Sequence, residues 1–429
     1  MQPKIISPGE NRKNLGPIGR CLALLACLAL ISTASLAESE PDLSAKRFEL
    51  GGFGTLGVAQ SDTNAARFSR DQTQPKGIGN QLDGKLDSLI GIQANFRATD
   101  SLELVTQAIS RYGPHGDFRP EISWAFAKYS LASDNLVLRA GRTGLELYML
   151  ADSRHVGYSY LSVRPPVDFF GGLAFHYIDG ADLVGTLPLA DGVLKIKAFA
   201  GQADELAPIQ NGSAILSLRG NPIVGIYADY QHEHWQWRTT YAQMTFKHDL
   251  PAPIATLQNS LNLTGVPSAM ALAKALSLTD TTSRFYSLGA IYDRGPLLVQ
   301  AMLSQINHES RIYQNTQAGY LITGYRMGEF TPFAGYSWSK SKTKQLSSGL
   351  PDNLFAPLNA GLAGAQARVH TDQHTYTLGT RWDFYRNMAL KAQIDFIRGK
   401  PESVFLYSST SPNFDGKLNV FSLALDFVF

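Results

Sequence analysis

The stretch Lys417–Phe429, with the sequence KLNVFSLALDFVF, alternates along its length between two kinds of side chain. One face carries the large apolar residues Phe421, Leu423, Leu425, Phe427 and Phe429. The opposite face carries the smaller or polar residues Val420, Ser422, Ala424, Asp426 and Val428. This period of two predicts a β-strand. In a soluble β-sandwich the apolar face would point into a core, whereas in a membrane-spanning barrel it would point into lipid and the other face would line a wet lumen.

The first 37 residues have the three parts of a secretory signal peptide. A polar region carries the basic side chains Lys4, Arg12, Lys13 and Arg20, and an apolar run then extends over 21–37 and closes on Ser35-Leu36-Ala37. The small residues Ser35 and Ala37 stand at the two positions that a signal peptidase reads, which is typical of a cleavage site. We therefore predict a signal peptide over 1–37 and one mature domain over 38–429. The alternative, an N-terminal anchor helix, is disfavoured because the apolar run is shorter than a comfortable membrane span.

Composition narrows the class of protein further. Both cysteines, Cys21 and Cys27, lie in the predicted leader, so an exported mature chain has no disulfide to stabilise it. Loss of the leader removes four basic residues and one acidic residue, which leaves 34 basic and 35 acidic side chains. A charge near zero argues against a nucleic-acid-binding protein. After the leader no stretch approaches about 20 consecutive apolar residues, so the mature chain could cross a membrane only as a closed barrel.

The rest of the chain consists of sixteen alternating segments with little helix between them. They are 47–60, 86–98, 102–111, 122–131, 135–142, 173–187, 193–201, 223–233, 235–246, 284–293, 297–306, 319–327, 330–340, 374–385, 388–398 and 417–429. Every second connection is a short turn, and most of the others are long and rich in Gly, Pro, Ser and Asn. The short connections are at Thr99-Asp100, Ser133-Asp134, Ala190–Gly192, Asp293–Pro296, Gly328-Glu329 and Arg386-Asn387. This sorting predicts an all-β, antiparallel transmembrane barrel of sixteen strands, with short periplasmic turns and long external loops.

These features together resemble a Gram-negative outer-membrane porin of the general diffusion type. The resemblance rests on the leader, the sixteen segments, the long third external connection and the terminal aromatic Phe429. It implies a homotrimer of water-filled pores in the cell outer membrane, surrounded by lipid and lipopolysaccharide, with the third loop folded inward. It also implies that Phe429 belongs to the signal that the barrel-assembly machinery reads. The segment Pro166–Gly172 is distantly similar to the tip of the constriction loop in that family, but it contains inserted residues.

A pore of sixteen strands is too wide for side chains to fill, so something must set its size. The stretch Thr143–Gly172 is the candidate, with the aromatic rings as anchors and the charges facing the passage. We predict constriction residues in this loop and at mid-height on the wall. They are Glu146, Asp152, Arg154, Arg164 and Asp168 in the loop, and Arg139, Arg142, Arg381, Lys197 and Gln107 on the wall. Basic groups facing acidic ones would create a transverse field that sorts solutes by charge. The alternatives are an ordinary solvated loop and lumenal ion pairs without a role in selectivity.

The function predicted from these patterns is passive diffusion of ions and small hydrophilic solutes, with no catalysis, cofactor or metal. The pair His232 and His234 is interpreted as an exposed turn and not as a metal site, because a third ligand is not evident. The one predicted helix, Ser268–Leu278, falls in the fifth long loop. Two alternatives stay open. One is a substrate-specific channel for sugars, phosphate or carboxylates, and the other is a receptor or adhesin that uses the barrel as an anchor.

Overall fold

The computed structural model describes residues 47–131, 135–172, 175–209, 214–342, 346–367, 369–401, 407–409, 411 and 413–429. The predicted signal peptide and the predicted turn at Ser133-Asp134 lie outside the described residues.

Sixteen antiparallel strands form one closed barrel, in which each strand pairs with its neighbours in the chain and the last pairs with the first. The strands are β1 Phe48–Ser61, β2 Leu89–Arg97, β3 Leu102–Tyr112, β4 Phe118–Leu131, β5 Leu136–Gly144, β6 Tyr177–Leu189, β7 Gly192–Gln202, β8 Pro222–His232, β9 Trp235–Thr245, β10 Thr282–Arg294, β11 Leu297–His308, β12 Thr316–Tyr325, β13 Phe330–Ser341, β14 Asp372–Tyr385, β15 Met388–Gly399 and β16 Lys417–Val428. The predicted fold class and strand number are therefore confirmed, and most boundaries move by only a few residues.

The closing pair shows how the two faces of the wall differ. Strands β1 and β16 pair continuously from Phe53 opposite Val428 to Ser61 opposite Val420. On β16 the side chain of Phe421 is 51% exposed on the outer face, whereas that of Asp426 on the inner face is 0% exposed. A strand with period two places alternate residues on opposite faces, so the large apolar side chains surround the barrel and the smaller or polar ones face its interior.

The connections are sorted between the two ends of the barrel. At one end, strands are joined by turns of a few residues, and Gly295 and Gly328 take positive φ angles of 54° and 63° in two of them. Such angles favour glycine because it has no Cβ to clash. The other end carries the long connections. The connection between β3 and β4, predicted to be long, covers only residues 113–117 because β4 begins at Phe118.

In the described part of the chain, four α-helices lie in the long connections. They are α1 Val167–Phe170, α2 Ile254–Leu263, α3 Pro267–Ala275 and α4 Asp352–Ala367. Helix α3 confirms the predicted helix, with Pro267 at its first turn, but it ends earlier than expected. Helices α2 and α4 were not predicted. Helix α4 contains Pro357 and is kinked at Phe355, so its local sequence is a weak helix signal. Within the described ranges, each helix is too short or too polar to span a membrane.

Candidate functional site

The connection between β5 and β6, residues 145–176, turns into the barrel, and we call it the inner loop. It was predicted to begin at Thr143, but Thr143 and Gly144 still belong to β5. Its side chains and carbonyl groups contact inner-face residues of strands on several sides of the barrel. Four groups of polar contacts hold it there.

The first group surrounds the Glu146 carboxylate and is called the Glu146 cluster. Glu146 accepts hydrogen bonds from Lys197 Nζ at 2.8 Å, Arg139 Nη2 at 2.9 Å and the Tyr227 hydroxyl at 2.6 Å. Asp182 pairs with both basic side chains, at 2.8 Å from Arg139 Nε and 3.2 Å from Lys197 Nζ. Burial opposes ionisation of Glu146, but the two cations outweigh it and hold the pKa of this carboxyl well below its usual range. The cluster therefore contains two basic and two acidic side chains, whose charges balance.

The second group binds the main chain of the loop. Arg238 is held by Asp229 through two hydrogen bonds of 2.6 Å, and its Nη1 donates to the Tyr148 carbonyl oxygen at 2.6 Å. The Ser287 hydroxyl donates to the Leu147 carbonyl oxygen at 3.2 Å. Buried carbonyl groups need such partners when the chain is in neither helix nor sheet. Arg238 and Ser287 therefore provide hydrogen-bond donors for the carbonyl groups of the loop, and they also fix its position.

The third group lies on the opposite side, at β15 and β16. Lys391 Nζ pairs with Asp426 at 2.9 Å and donates to the carbonyl oxygens of Gly157 at 2.7 Å and Ser162 at 3.1 Å. The Thr55 hydroxyl donates to the same carboxylate. A Cβ atom at Gly157 would lie 2.0 Å from Asp426 Oδ1, so only glycine permits this close approach. Both charged side chains are fully buried.

Arg381 extends this contact along β14. Its Nη1 donates to the carbonyl oxygens of Tyr158 at 2.6 Å and Tyr160 at 2.9 Å. The guanidinium group also lies 4.5 Å from the centre of the Tyr158 ring and pairs with Asp383 at 2.7 Å. A planar fork of five N–H donors is suited to binding several acceptors at once. Arg381 thus binds the backbone of the loop and the Asp383 carboxylate at the same time.

The fourth group is the Arg164 cluster. Arg164 makes two hydrogen bonds to Asp87, at 2.9 and 2.6 Å, and one to Asp395 at 2.8 Å. It also donates to the Ser422 hydroxyl at 2.5 Å. The Arg164 side chain is 1% exposed. Removing one partner from a buried pair of this kind usually costs about 3–5 kcal/mol, because the remaining charges are left without compensation.

The predicted constriction residues of the loop do not all behave as expected. Glu146 and Arg164 are buried in their clusters, Arg154 is buried with its Nη1 donating to the Phe175 carbonyl oxygen at 2.9 Å, and Asp168 is buried against Ser337. Each of these four charges has a partner on the wall or in the loop, and their role at the constriction stays a prediction. Of the five predicted charges of the loop, only Asp152 is classed as exposed.

On the wall, Arg139, Lys197, Arg381 and Gln107 point to the interior. Gln107 bonds Gln93 and Ser123 at 2.9 and 2.8 Å and does not reach the loop clusters.

Arg142 is not in this group. It lies an odd number of residues from Arg139, so it projects from the other face of β5, where it pairs with Asp179 at 2.7 Å and Asp204 at 2.7 Å. Its assignment to the constriction is therefore wrong.

At the end of the inner loop, the buried His176 contacts Glu205 of the connection between β7 and β8, a pair that the sequence did not single out. His176 Nδ1 lies 3.1 Å from Glu205 Oε2, and the His176 ring is 5.0 Å from that of His155. Burial raises the pKa of the Glu205 carboxyl to about 8, although the N–H groups of His176 and Tyr177 donate to it. Burial also holds the pKa of both histidines well below the usual value. This contact is consequently a hydrogen bond between neutral groups at neutral pH.

The inner face near the long connections is not polar. Ile223, Met244, Phe285 and other wall residues form one buried apolar cluster with the inner loop and with α2 and α3. The members from the loop include Leu147 and Phe169. The inner face of β8–β10 is therefore apolar at this end of the barrel.

The sequence matches no family model and no curated protein. Solved structures are similar in fold. The anion-selective porin from Comamonas acidovorans aligns with 89% of this chain and 99% of its own, at 13% identity and a TM-score of 0.53. Salmonella typhi OmpF, solved with daunomycin, aligns with 89% of this chain and 97% of its own, at 13% identity and a TM-score of 0.53. The outer-membrane channel DcaP of Acinetobacter baumannii aligns with 89% of this chain and 97% of its own, at 12% identity and a TM-score of 0.51.

This chain has the fold of an outer-membrane porin. The likeness covers nearly the whole length of each solved chain, so it concerns the complete barrel. At such low identities it does not extend to the residues of the interior.

Proposed function

We propose that this protein is an outer-membrane channel for passive diffusion of ions and small hydrophilic solutes, with no catalytic step. The observation that carries the proposal is the closed barrel of sixteen strands, whose charged inner face holds a loop across the lumen. Side chains alone do not fill a barrel of this width. A loop fixed by buried ion pairs narrows the lumen to a defined size, as a sieve for small solutes requires.

Ion selectivity follows from the balance of these charges. The Glu146 cluster holds two bases and two acids, and Lys391 with Asp426 and Arg238 with Asp229 form simple pairs. Paired charges leave little net field in the passage, in contrast to a ladder of one sign. We expect a channel with weak preference between small cations and anions.

Planar lipid bilayers test this function directly. Purified protein should give stepwise, ohmic current increments, and the reversal potential in a KCl gradient should lie close to zero. A barrel that inserts but carries no current would support the anchor alternative. A reversal potential near the equilibrium potential of K⁺ or of Cl⁻ would contradict a passage with balanced charges.

We also propose that the barrel forms a homotrimer through the outer faces of β3–β7. Small outward side chains such as Ala108, Ala140 and Ala198 lie in this part of the wall beside larger exposed ones such as Leu104 and Leu138, and Leu303 on β11 is exposed outside it. Small residues allow another wall to approach closely. Ala140→Trp should reduce the trimer fraction in mass measurements from native membranes, and Leu303→Trp should not. Recognition of Phe429 by the assembly machinery and contact with lipopolysaccharide remain predictions.

A further inference from the structure

A cavity of about 750 Å³ lies between the inner loop and the helices of the long connections. Leu147 and Phe169 of the inner loop border it on one side, and Met244 and Phe285 of the barrel wall on another. Helix α2 contributes Leu257. A volume of this size is within the range of sites for small organic ligands, roughly 300–1,000 Å³. We call it the vestibule.

Helix α4 closes the vestibule with glycine residues. Both Gly361 and Gly364 line the cavity. A Cβ atom at Gly361 would be 3.8 Å from Leu257 Cδ1, and one at Gly364 would have no atom within 4 Å. Both glycines are exposed, and the helix leaves open space at Gly364 where most other residues would place a side chain.

The charges that border the vestibule are already bound to partners. Asp168 accepts a hydrogen bond from Ser337 at 2.6 Å, and Asp71 accepts one from the Thr73 amide at 2.8 Å. Arg284 pairs with Glu309 at 2.6 Å. The other polar groups of the lining are uncharged amides and hydroxyls and one imidazole. They are Gln72, Gln74, Gln243, Gln314, Ser69, Ser283, Ser304, Ser339, Thr316, Thr371, Tyr313 and His308.

We propose that the vestibule binds an uncharged, mainly apolar small molecule that carries a hydroxyl or carbonyl group. The apolar walls favour such a ligand through burial of its surface, and the neutral donors and acceptors orient its polar group. An anionic ligand would lose its hydration without gaining a cationic partner, because Arg284 is already paired with Glu309. If the protein is the channel proposed above, such molecules are a further class of solute that it transports. The binding site itself does not depend on the channel function.

Equilibrium dialysis with the protein in lipid nanodiscs tests the site without an ion current. The probe is 2-naphthol, which is uncharged at neutral pH, and 2-naphthalenesulfonate is its anionic counterpart. Empty nanodiscs of the same lipid correct for partition into the bilayer. Wild-type protein should bind 2-naphthol saturably at about one molecule per chain, and the sulfonate at least tenfold more weakly.

Two tryptophan variants on α4 locate the bound molecule. Gly364→Trp fills the open space and should weaken binding at least tenfold, whereas Ala363→Trp, on an exposed position that does not line the cavity, should bind as wild type does. No saturable binding above that of empty nanodiscs, equal binding by Gly364→Trp and wild type, equal loss in both variants, or stronger binding of the sulfonate would each overturn the proposal. A protein that binds 2-naphthol but carries no current would leave the site standing and contradict the channel function.

Discussion

The inner loop and the helices at the mouth of the barrel share one buried apolar cluster, but the loop is held by buried charged contacts as well. The inner loop is fixed by charged side chains such as Arg164 and Lys391, each within hydrogen-bonding distance of two or more partners. Helices α2 and α3 are fixed by apolar contacts of Leu261 and Leu272. Charged hydrogen bonds are directional, so they define one position for a loop. Apolar packing is not directional, and it leaves space that a ligand can use.

The largest effect should come from the charged region. Arg164→Met leaves Asp87 and Asp395 buried without their partner, which should destabilise the docked loop by about 3–5 kcal/mol. Amide hydrogen exchange of residues 145–172, measured by mass spectrometry, should become on the order of 10²–10³ times faster. Arg119→Met is the control, since the Arg119–Asp117 pair is exposed and should contribute less than about 1 kcal/mol. Equal exchange in the two variants would contradict the anchoring role.

The apolar region should show a smaller and separate effect. Leu261 is 0% exposed in α2, and Leu261→Ala should cost about 2–5 kcal/mol by leaving a cavity. Exchange should accelerate in α2 and α3, while the single-channel current stays the same because charges hold the inner loop. Leu263→Ala on the same helix is the matched control, as Leu263 is 86% exposed. A changed current in Leu261→Ala alone would mean that the two regions are coupled.

A pH effect should arise where the inner loop meets β6. The folded state keeps a proton on Glu205 up to a pKa of about 8, whereas an unfolded glutamate releases it near 4.3. The contribution of Glu205 to local stability is therefore highest below the unfolded pKa and falls as pH rises through the folded pKa, by at most about 1.4 kcal/mol per pH unit. His155 and His176, whose pKa values are lowered, act in the opposite direction, so the comparison is made with Glu205→Gln, which keeps both histidines. From pH 6 to pH 7, exchange at His176 and Tyr177 should accelerate in the wild type relative to this variant, after correction for intrinsic rates. Glu205→Gln should remove this dependence, and an unchanged slope in the variant would exclude Glu205 as its source.

Most of the barrel could be predicted from the sequence because the signals are local. A period of two and short turns identify each strand without knowledge of its partners. Which side chains contact each other across the lumen depends on the register of the strands and on the path of the inner loop. Asp426 and Arg381 could be placed on the inner face, but nothing in the sequence joins Lys391 to the carbonyl of Gly157. Helix α4 was missed because its proline and glycines are poor helix formers. Its Leu362 and Ala365 are buried in the apolar cluster that includes α2, a contact that the local sequence does not reveal.

The error at Arg142 had a different origin. Arg139 and Arg142 are three residues apart, and a strand places such residues on opposite faces. The sequence contained that information, and strict application of the period would have removed Arg142 from the candidate set. The burial of Glu146 and Arg164, in contrast, depends on contacts with distant strands.

The central claim is that the inner loop borders an open, wet passage, and Asp152 gives the most direct test. The cysteines of the sequence are Cys21 and Cys27, both in the predicted leader, so Asp152→Cys introduces a single thiol into the mature chain. Asp280→Cys, at an exposed position of a long connection, is the control. During single-channel recording, a cationic methanethiosulfonate reagent should reduce the current of Asp152→Cys in steps and leave that of Asp280→Cys unchanged. Complete modification of Asp152→Cys without a change in current would contradict the account.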